Sequence, residues 1–345
     1  MKKLFLPLAL VVVLSTSCSD DDSSMATPDP IPVDQTPTPA QELKLITTSN
    51  TSGKISFTDL LATSPTAKSF TISSTDADGV YYDNSKDQVV LASRTNNRVE
   101  AYGSLRNAII GGATTLDLSF SSSSDFTNAR EIAVSGDKVV VTQDQNAGNG
   151  NISKFYVYQR NTSGFTLLNT YTVDIKLWGI HIEGNTMYAI ADNTSDLVVY
   201  NNFFNNIDGN ISASKRVTIE GLTRTHGITY SPQDNVMVLS DVALASSATD
   251  GGLVIINNFT SVLNATNNMG TIAMNNQVRI YGPNSLLGNP VDVAYDHVTN
   301  KIFVAERANG GGQVLEFSFP TSSGDFAPIS NRTEAGVTAV YLLRR

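Results

Sequence analysis

The chain has 345 residues, of which 41% are apolar, 16% charged and 8% aromatic. That apolar share supports a real core and excludes global disorder, while low charge and plentiful Ser, Thr, Asn and Gly fit short strands and polar turns better than long amphipathic helices. The net charge is −9; two early lysines and the acids of residues 18–42 leave about −5 on residues 43–345, without a Lys/Arg cluster, which argues against nucleic acid as a partner.

The N-terminus begins Met1-Lys2-Lys3 and continues as the apolar run Leu4 to Leu14. This is the length of a signal-peptide core and too short to span a bilayer. The small residues that follow lead to Cys18, the one cysteine of the chain, so no internal disulfide can form. The stretch resembles a bacterial lipoprotein signal, with Leu14 one place further from the cysteine than the usual pattern. The resemblance implies cleavage after residue 17, lipidation of Cys18 and anchoring to the outer membrane. Asp20, Asp21 and Asp22 resemble the surface-export signal of some Gram-negative lipoproteins; alternatively, they are the solvated start of a linker. Residues 18–42, acidic and then rich in Pro, Thr and Ser, read as a semi-extended tether.

From residue 43 onward the chain repeats. Segments 78–102, 130–159, 178–200, 226–257 and 291–317 each contain a short strand, a turn rich in Asp, Asn, Ser and Gly, a nearly all-apolar second strand, and an alternating third strand. Their anchors, Gly79, Glu131, Gly179, Gly227 and Asp292, step by 52, 48, 48 and 65 residues. Weaker fourth strands are expected near 114–120 and 215–220. Four-stranded units at this period predict a β-propeller, whose middle strands are covered on both faces by neighbouring blades. The period-2 texture excludes a helical solenoid. Residues 335–343 read as a first strand without successors, and 43–50 and 53–60 as second and third strands without a first. Joining them predicts a sixth blade that closes the ring, giving an all-β domain over 43–345 of six four-stranded antiparallel blades.

The segments 96–102 and 289–317 are similar to NHL-type repeats of six-bladed, TolB-like propellers. The resemblance implies this fold and leaves function open, because such propellers host binders and enzymes alike.

First strands of a propeller line its channel, so Asp78, Arg130, Trp178, His226 and Asp292 are expected near the channel mouth. The ends of the second strands should bring Arg94, Asp144, Asp192, Asp241 and Glu306 to the same face, with Arg307 next to the last. Unequal loops at 144–153 and 242–251 share this rim, a common way to build a specific site on a rigid ring. The run from His226 to Asp241 is similar to a blade of gluconolactonase-type propellers. That resemblance would place His226 where the family has a metal-binding Asn and would make Asp78 a second ligand for Ca2+ or another divalent cation. A hard cation takes six to eight oxygens, and few candidates are present. Trp178 reads as a channel plug or a stacking platform. Arg94 and Arg307 read as partners of nearby carboxylates or as an anion-binding pair. His181 and His297 lack ligand spacing, and no Gly-x-Ser-x-Gly elbow or P-loop occurs. The expected role is non-catalytic binding of a protein or glycan. A metal-dependent hydrolase or lactonase is the alternative, and a structural subunit of an envelope complex is a third reading.

Overall fold

The computed structural model describes residues 41–345; the expected signal peptide, Cys18 and tether residues 18–40 lie outside that range. The described chain folds into six sheets arranged in chain order as blades. Blade one joins Val337–Arg344 to Leu43–Ser49, Lys54–Asp59 and Lys68–Thr71, closing the ring with one C-terminal and three N-terminal strands. Blades two to six begin with the first strands Ala77–Asp83, Ala129–Ser135, Leu177–Glu183, Thr225–Ser231 and Pro290–Asp296. The fold is therefore an all-β, six-bladed propeller. Its closing strand runs from the channel mouth to the opposite face, where Glu42 and Arg345 exchange both backbone hydrogen bonds (2.8 and 3.0 Å).

Each second strand is buried along nearly its whole length, as in Gln88–Ser93, Thr186–Ala191 and Val236–Asp241. Alternate residues of one strand serve different cores. Val89 and Leu91 pack with blade one, whereas Val90 and Ala92 pack with blade three. The core is thus a ring of six clusters, each held between two neighbouring blades. Period-2 side-chain alternation on strands covered on both faces produces this arrangement. The hairpins between first and second strands turn through left-handed residues, Asp87, Gly136, Gly184, Asn235 and Asn300, the residue types that tolerate that conformation.

Two blades depart from the expected four strands. Gly209–Asn210 adds a short parallel strand to the outer edge of blade three, and Thr271–Ile272 does the same for blade four. Both come from the connection before the outer strand of the following blade. Single parallel bridges, Thr71 with Thr115 and Ile280 with Gly324, repeat this on blades one and five. The expected strand at 114–120 is consequently shorter, Leu118–Ser121, because Thr115 is engaged with the neighbouring blade. The long step before Asp292 holds the helix Phe259–Ala265 and the added strand, with no extra blade.

Candidate functional site

One face of the ring is defined by a repeated backbone hydrogen bond. The amides of Asn50, Arg94, Asp144, Asp192, Val242 and Arg307 donate to the carbonyls of Gly336, Asp76, Asn128, Lys176, Arg224 and Asn289. These six donors are therefore equivalent second-strand ends. Just inside the first strands the register shifts in every blade, a bulge that re-aims the side chains. The residues turned to the channel mouth there are Thr338, Asp78, Arg130, Trp178, His226 and Val291. All six line one recess of about 130 Å³, together with Arg94, Arg224 and Arg307.

The next position along each first strand faces the channel itself, where neighbouring strands crowd together. A Cβ on Gly227 would lie 2.6 Å from the Asp292 Cα, and one on Gly179 would collide with the His226 carbonyl oxygen. Ala339 and Gly79 occupy this slot in blades one and two, and Glu131 and Asp292 in blades three and six. The structure thus moves Asp292 out of the mouth, which Val291 takes in its blade. The Asp292 carboxyl folds back to accept from the backbone N–H of Val293 and of Val340, both at 2.8 Å. Burial raises the pKa of Asp292 to about 8 and that of Glu131 well above the usual carboxyl range.

Asp241 also leaves the mouth. It pairs across the hairpin with Thr225, as Glu306 pairs with Pro290, whereas Asp192 lies one residue beyond the corresponding position, Ala191. One residue of offset sends a side chain to the other face of a strand. Asp241 accepts from the backbone N–H of Thr223, Arg224 and Ala243 and from the Tyr281 hydroxyl. Glu306 accepts from the N–H of Gly288, Asn289, Ala308 and Asn309. Both carboxylates clamp the loops around the mouth.

At the mouth the side chains are tightly interlocked. The Arg94 Nη1 donates to Asp78 at 2.9 Å, and its Nε and Nη2 donate to Asp76. Burial raises the Asp78 pKa to about 6 despite the opposing pull of Arg94 and Arg130. The His226 ring lies flat on Trp178, with centroids 3.5 Å apart and planes 2° from parallel. Its Nε2 is 3.2 Å from Asp192 Oδ1. Burial lowers the His226 pKa to about 4 even against Asp192, so the ring is neutral at neutral pH and donates its Nε2 hydrogen. Burial works to raise the Asp192 pKa, but hydrogen bonds from His226 and Arg224 outweigh it and hold the carboxyl well below its usual range. The Arg130 guanidinium sits 4.1 Å from the Trp178 ring centre. Trp178 is therefore held between a histidine and an arginine, which occupy the surface a sugar ring would stack on.

Sequence reasoning brought Asp78, Arg94, Arg130, Trp178, His226 and Arg307 to this face. It missed Arg224, whose Nε donates to Asp192 at 2.7 Å. The signal was positional, because Arg224 stands two residues before His226, as Asp76 stands before Asp78 and Asn289 before Val291. The two residues singled out for a metal are each engaged with another partner, Asp78 with Arg94 and His226 with Asp192. Among the described residues no group of three or more His, Cys, Asp or Glu side chains is arranged to hold a metal ion. His181 is half-buried; desolvation lowers its pKa to about 4, and its Nδ1 faces the Tyr230 N–H at 3.4 Å.

No family model and no curated protein matches this sequence. Solved structures do. A chain of a nidogen–laminin complex aligns with a TM-score of 0.59 at 12% identity, covering 88% of this chain and 98% of its own length. A Bacteroides fragilis NCTC 9343 protein, named as a candidate 6-phosphogluconolactonase, aligns with a TM-score of 0.57 at 10% identity, covering 91% and 100%. A Bacteroides caccae protein of unknown function aligns with a TM-score of 0.56 at 8% identity, covering 88% and 100%. At these identities the likeness is one of fold.

Proposed function

We propose that this chain is an exported, lipid-anchored propeller of the outer membrane that binds a protein or glycan ligand at its channel-mouth face, without catalysing a reaction on it. The observation that carries this reading is diversification on a regular frame. Six equivalent first-strand positions present six different side chains, Thr338, Asp78, Arg130, Trp178, His226 and Val291, to a single recess. Such variation at the rim of a rigid ring is how a repeat scaffold acquires a specific ligand. The loop 242–251 adds to the rim, with the Ala245 carbonyl held by the Asn289 side chain. Export and anchoring rest on the sequence around Cys18 alone.

The hydrolase reading draws on the lactonase-type resemblance and on the names of two structural neighbours. One observation favours it: the Asp192–His226 pair leaves the buried His226 Nδ1 without a partner among the described residues. Two observations weigh more heavily against it. A ring with a pKa near 4 is a weak proton acceptor at neutral pH. Guanidinium groups lining the recess would repel a divalent cation by several kcal/mol each at contact distances.

The test screens the full-length chain against arrays of acidic and neutral glycans and peptides, beside an Ala245→Trp variant that shields the mouth. Specific binding abolished in the variant is the expected result. Binding indifferent to Ala245→Trp would sink the proposal. So would a melting shift with Ca2+ that EDTA and the Asp78→Ala/His226→Ala double variant both abolish, if lactone hydrolysis followed the same pattern.

A further inference from the structure

Four guanidinium groups line the mouth recess, those of Arg94, Arg130, Arg224 and Arg307, against one lining carboxylate, Asp78. Two of the four are satisfied. Arg94 is held by Asp76 and Asp78, which outweigh its burial and keep its pKa raised. Arg224 is paired with Asp192. The other two are not. Arg130 comes no closer than 3.9 Å to Asp144, and its buried Nε finds no acceptor among the described residues. Arg307 donates from Nη2 to the Asn50 amide oxygen at 3.1 Å, and its buried Nε likewise has no acceptor among the described residues. Among the described residues no carboxylate lies within ion-pair distance of Arg307. A guanidinium cannot shed its charge as a carboxyl or imidazole can. Burying it with donors unpaired leaves a desolvation cost that an incoming anion offsets. Burial, helped by Arg94, lowers the pKa of Arg130, the direction expected for a cation short of counter-charge.

The size of the recess defines what can enter. About 130 Å³ is about four times the ~30 Å³ share of a liquid water molecule and well below the ~300–1,000 Å³ of pockets that enclose whole ligands. The sandwiched Trp178 leaves recognition to charge and hydrogen bonds. We propose that the recess is an oxyanion site, in which Arg307 and Arg130 hold a carboxylate, sulfate or phosphate head group while Arg94 and Arg224 flank it. The body of the ligand then lies across the rim, which deepens the binding-module reading and rests on its choice of face.

Trp178 is the one tryptophan of the chain, so its fluorescence reports on this recess alone. Full-length protein is titrated with sulfate, phosphate, acetate and galacturonate at constant ionic strength. At least one of them is expected to give a saturable change, and the order of midpoints distinguishes a carboxylate ligand from a tetrahedral one. Arg307→Gln should raise the midpoint at least tenfold. Arg307→Lys, which keeps the charge but not the fork, should raise it less. Arg216→Gln, which removes an ion pair with Asp196 away from the mouth, should leave it unchanged. The inference is overturned if no anion gives a saturable change, if the signal only drifts with ionic strength, or if a folded Arg307→Gln or Arg307→Lys protein keeps the wild-type midpoint. Array binding that resists both competing anions and Arg307→Gln overturns the anion site and leaves the module reading standing. Saturable anion binding in a protein that captures nothing on the arrays does the reverse.

Discussion

Asp78 shows how one side chain can set the charge of the whole mouth. Burial raises its pKa to about 6; Arg94 and Arg130 attract its charge, Asp76 repels it, and Glu131 and Asp292 lie close enough to feel it. As pH falls through about 6 the carboxyl takes up a proton, Arg94 loses a partner, and the recess gains one unit of positive charge. His226, with its pKa near 4, stays neutral across this window. Sulfate, which keeps its charge throughout, should therefore bind about tenfold more tightly at pH 5 than at pH 7.5, as one added charge a few Å away in a partly screened site allows. Asp78→Asn should bind tightly at both pH values, and a wild-type midpoint independent of pH would contradict the assignment. Much of this was legible in the sequence, because the glycines that mark the crowded channel also mark the residue before them. Where Asp292 replaces that glycine, the marker is lost and the reading slips by one residue.

At the scale of elements, the second strands were readable because almost every residue in them is apolar. Their last residues were not, because polarity at a strand end does not say which way a side chain points. Backbone hydrogen bonds separate the two sets: Glu306 and Asp241 bind loop amides, while their neighbours in sequence face the mouth or, at Val242, the core. Glu306→Ala would leave four backbone N–H groups around residues 288–309 without their acceptor. Urea unfolding should show a loss of roughly 3 kcal/mol, since each buried unpaired group costs about 1–3 kcal/mol and some will find water. A loss within the ~0.5 kcal/mol typical of surface changes would show that the clamp is dispensable. The short parallel strands on the outer edges left no signature, because pairs of two residues carry no hydrophobic period. They cover edges that would otherwise offer unpaired backbone to another chain.

The whole ring has no central core, so its stability depends on every blade meeting two neighbours. Removing residues 336–345 would strip blade one of its inner strand and open the clusters on both sides of it. Calorimetry should then show loss of the single cooperative transition, whereas an unchanged melting profile would refute closure by that strand. The acid–base balance of the channel adds a second global effect. Glu131 and Asp292 hold protons in the folded state at pH values where an unfolded carboxyl has lost them. The folded state therefore binds more protons at these two groups, and stability falls as pH rises from about 6.5 through about 8; below that, the buried His226 and half-buried His181, with pKa values lowered to about 4, act in the opposite sense. Asp192, with its pKa lowered, acts in the opposite sense only in stronger acid. Melting temperature should drop by several degrees between pH 6 and pH 9, and a rise over that interval would contradict the burial of these two groups.

The pairing of Glu42 with Arg345 gives the ring a top and a bottom. The chain joins the domain at the face opposite the recess, because the closing strand starts at the mouth and the next strand runs back from the far side. A pull applied at residue 41 would therefore act on the face opposite the recess. Held there, as the proposed lipid anchor would hold it, the propeller would present Arg307, Arg130 and the surrounding loops away from the anchoring surface.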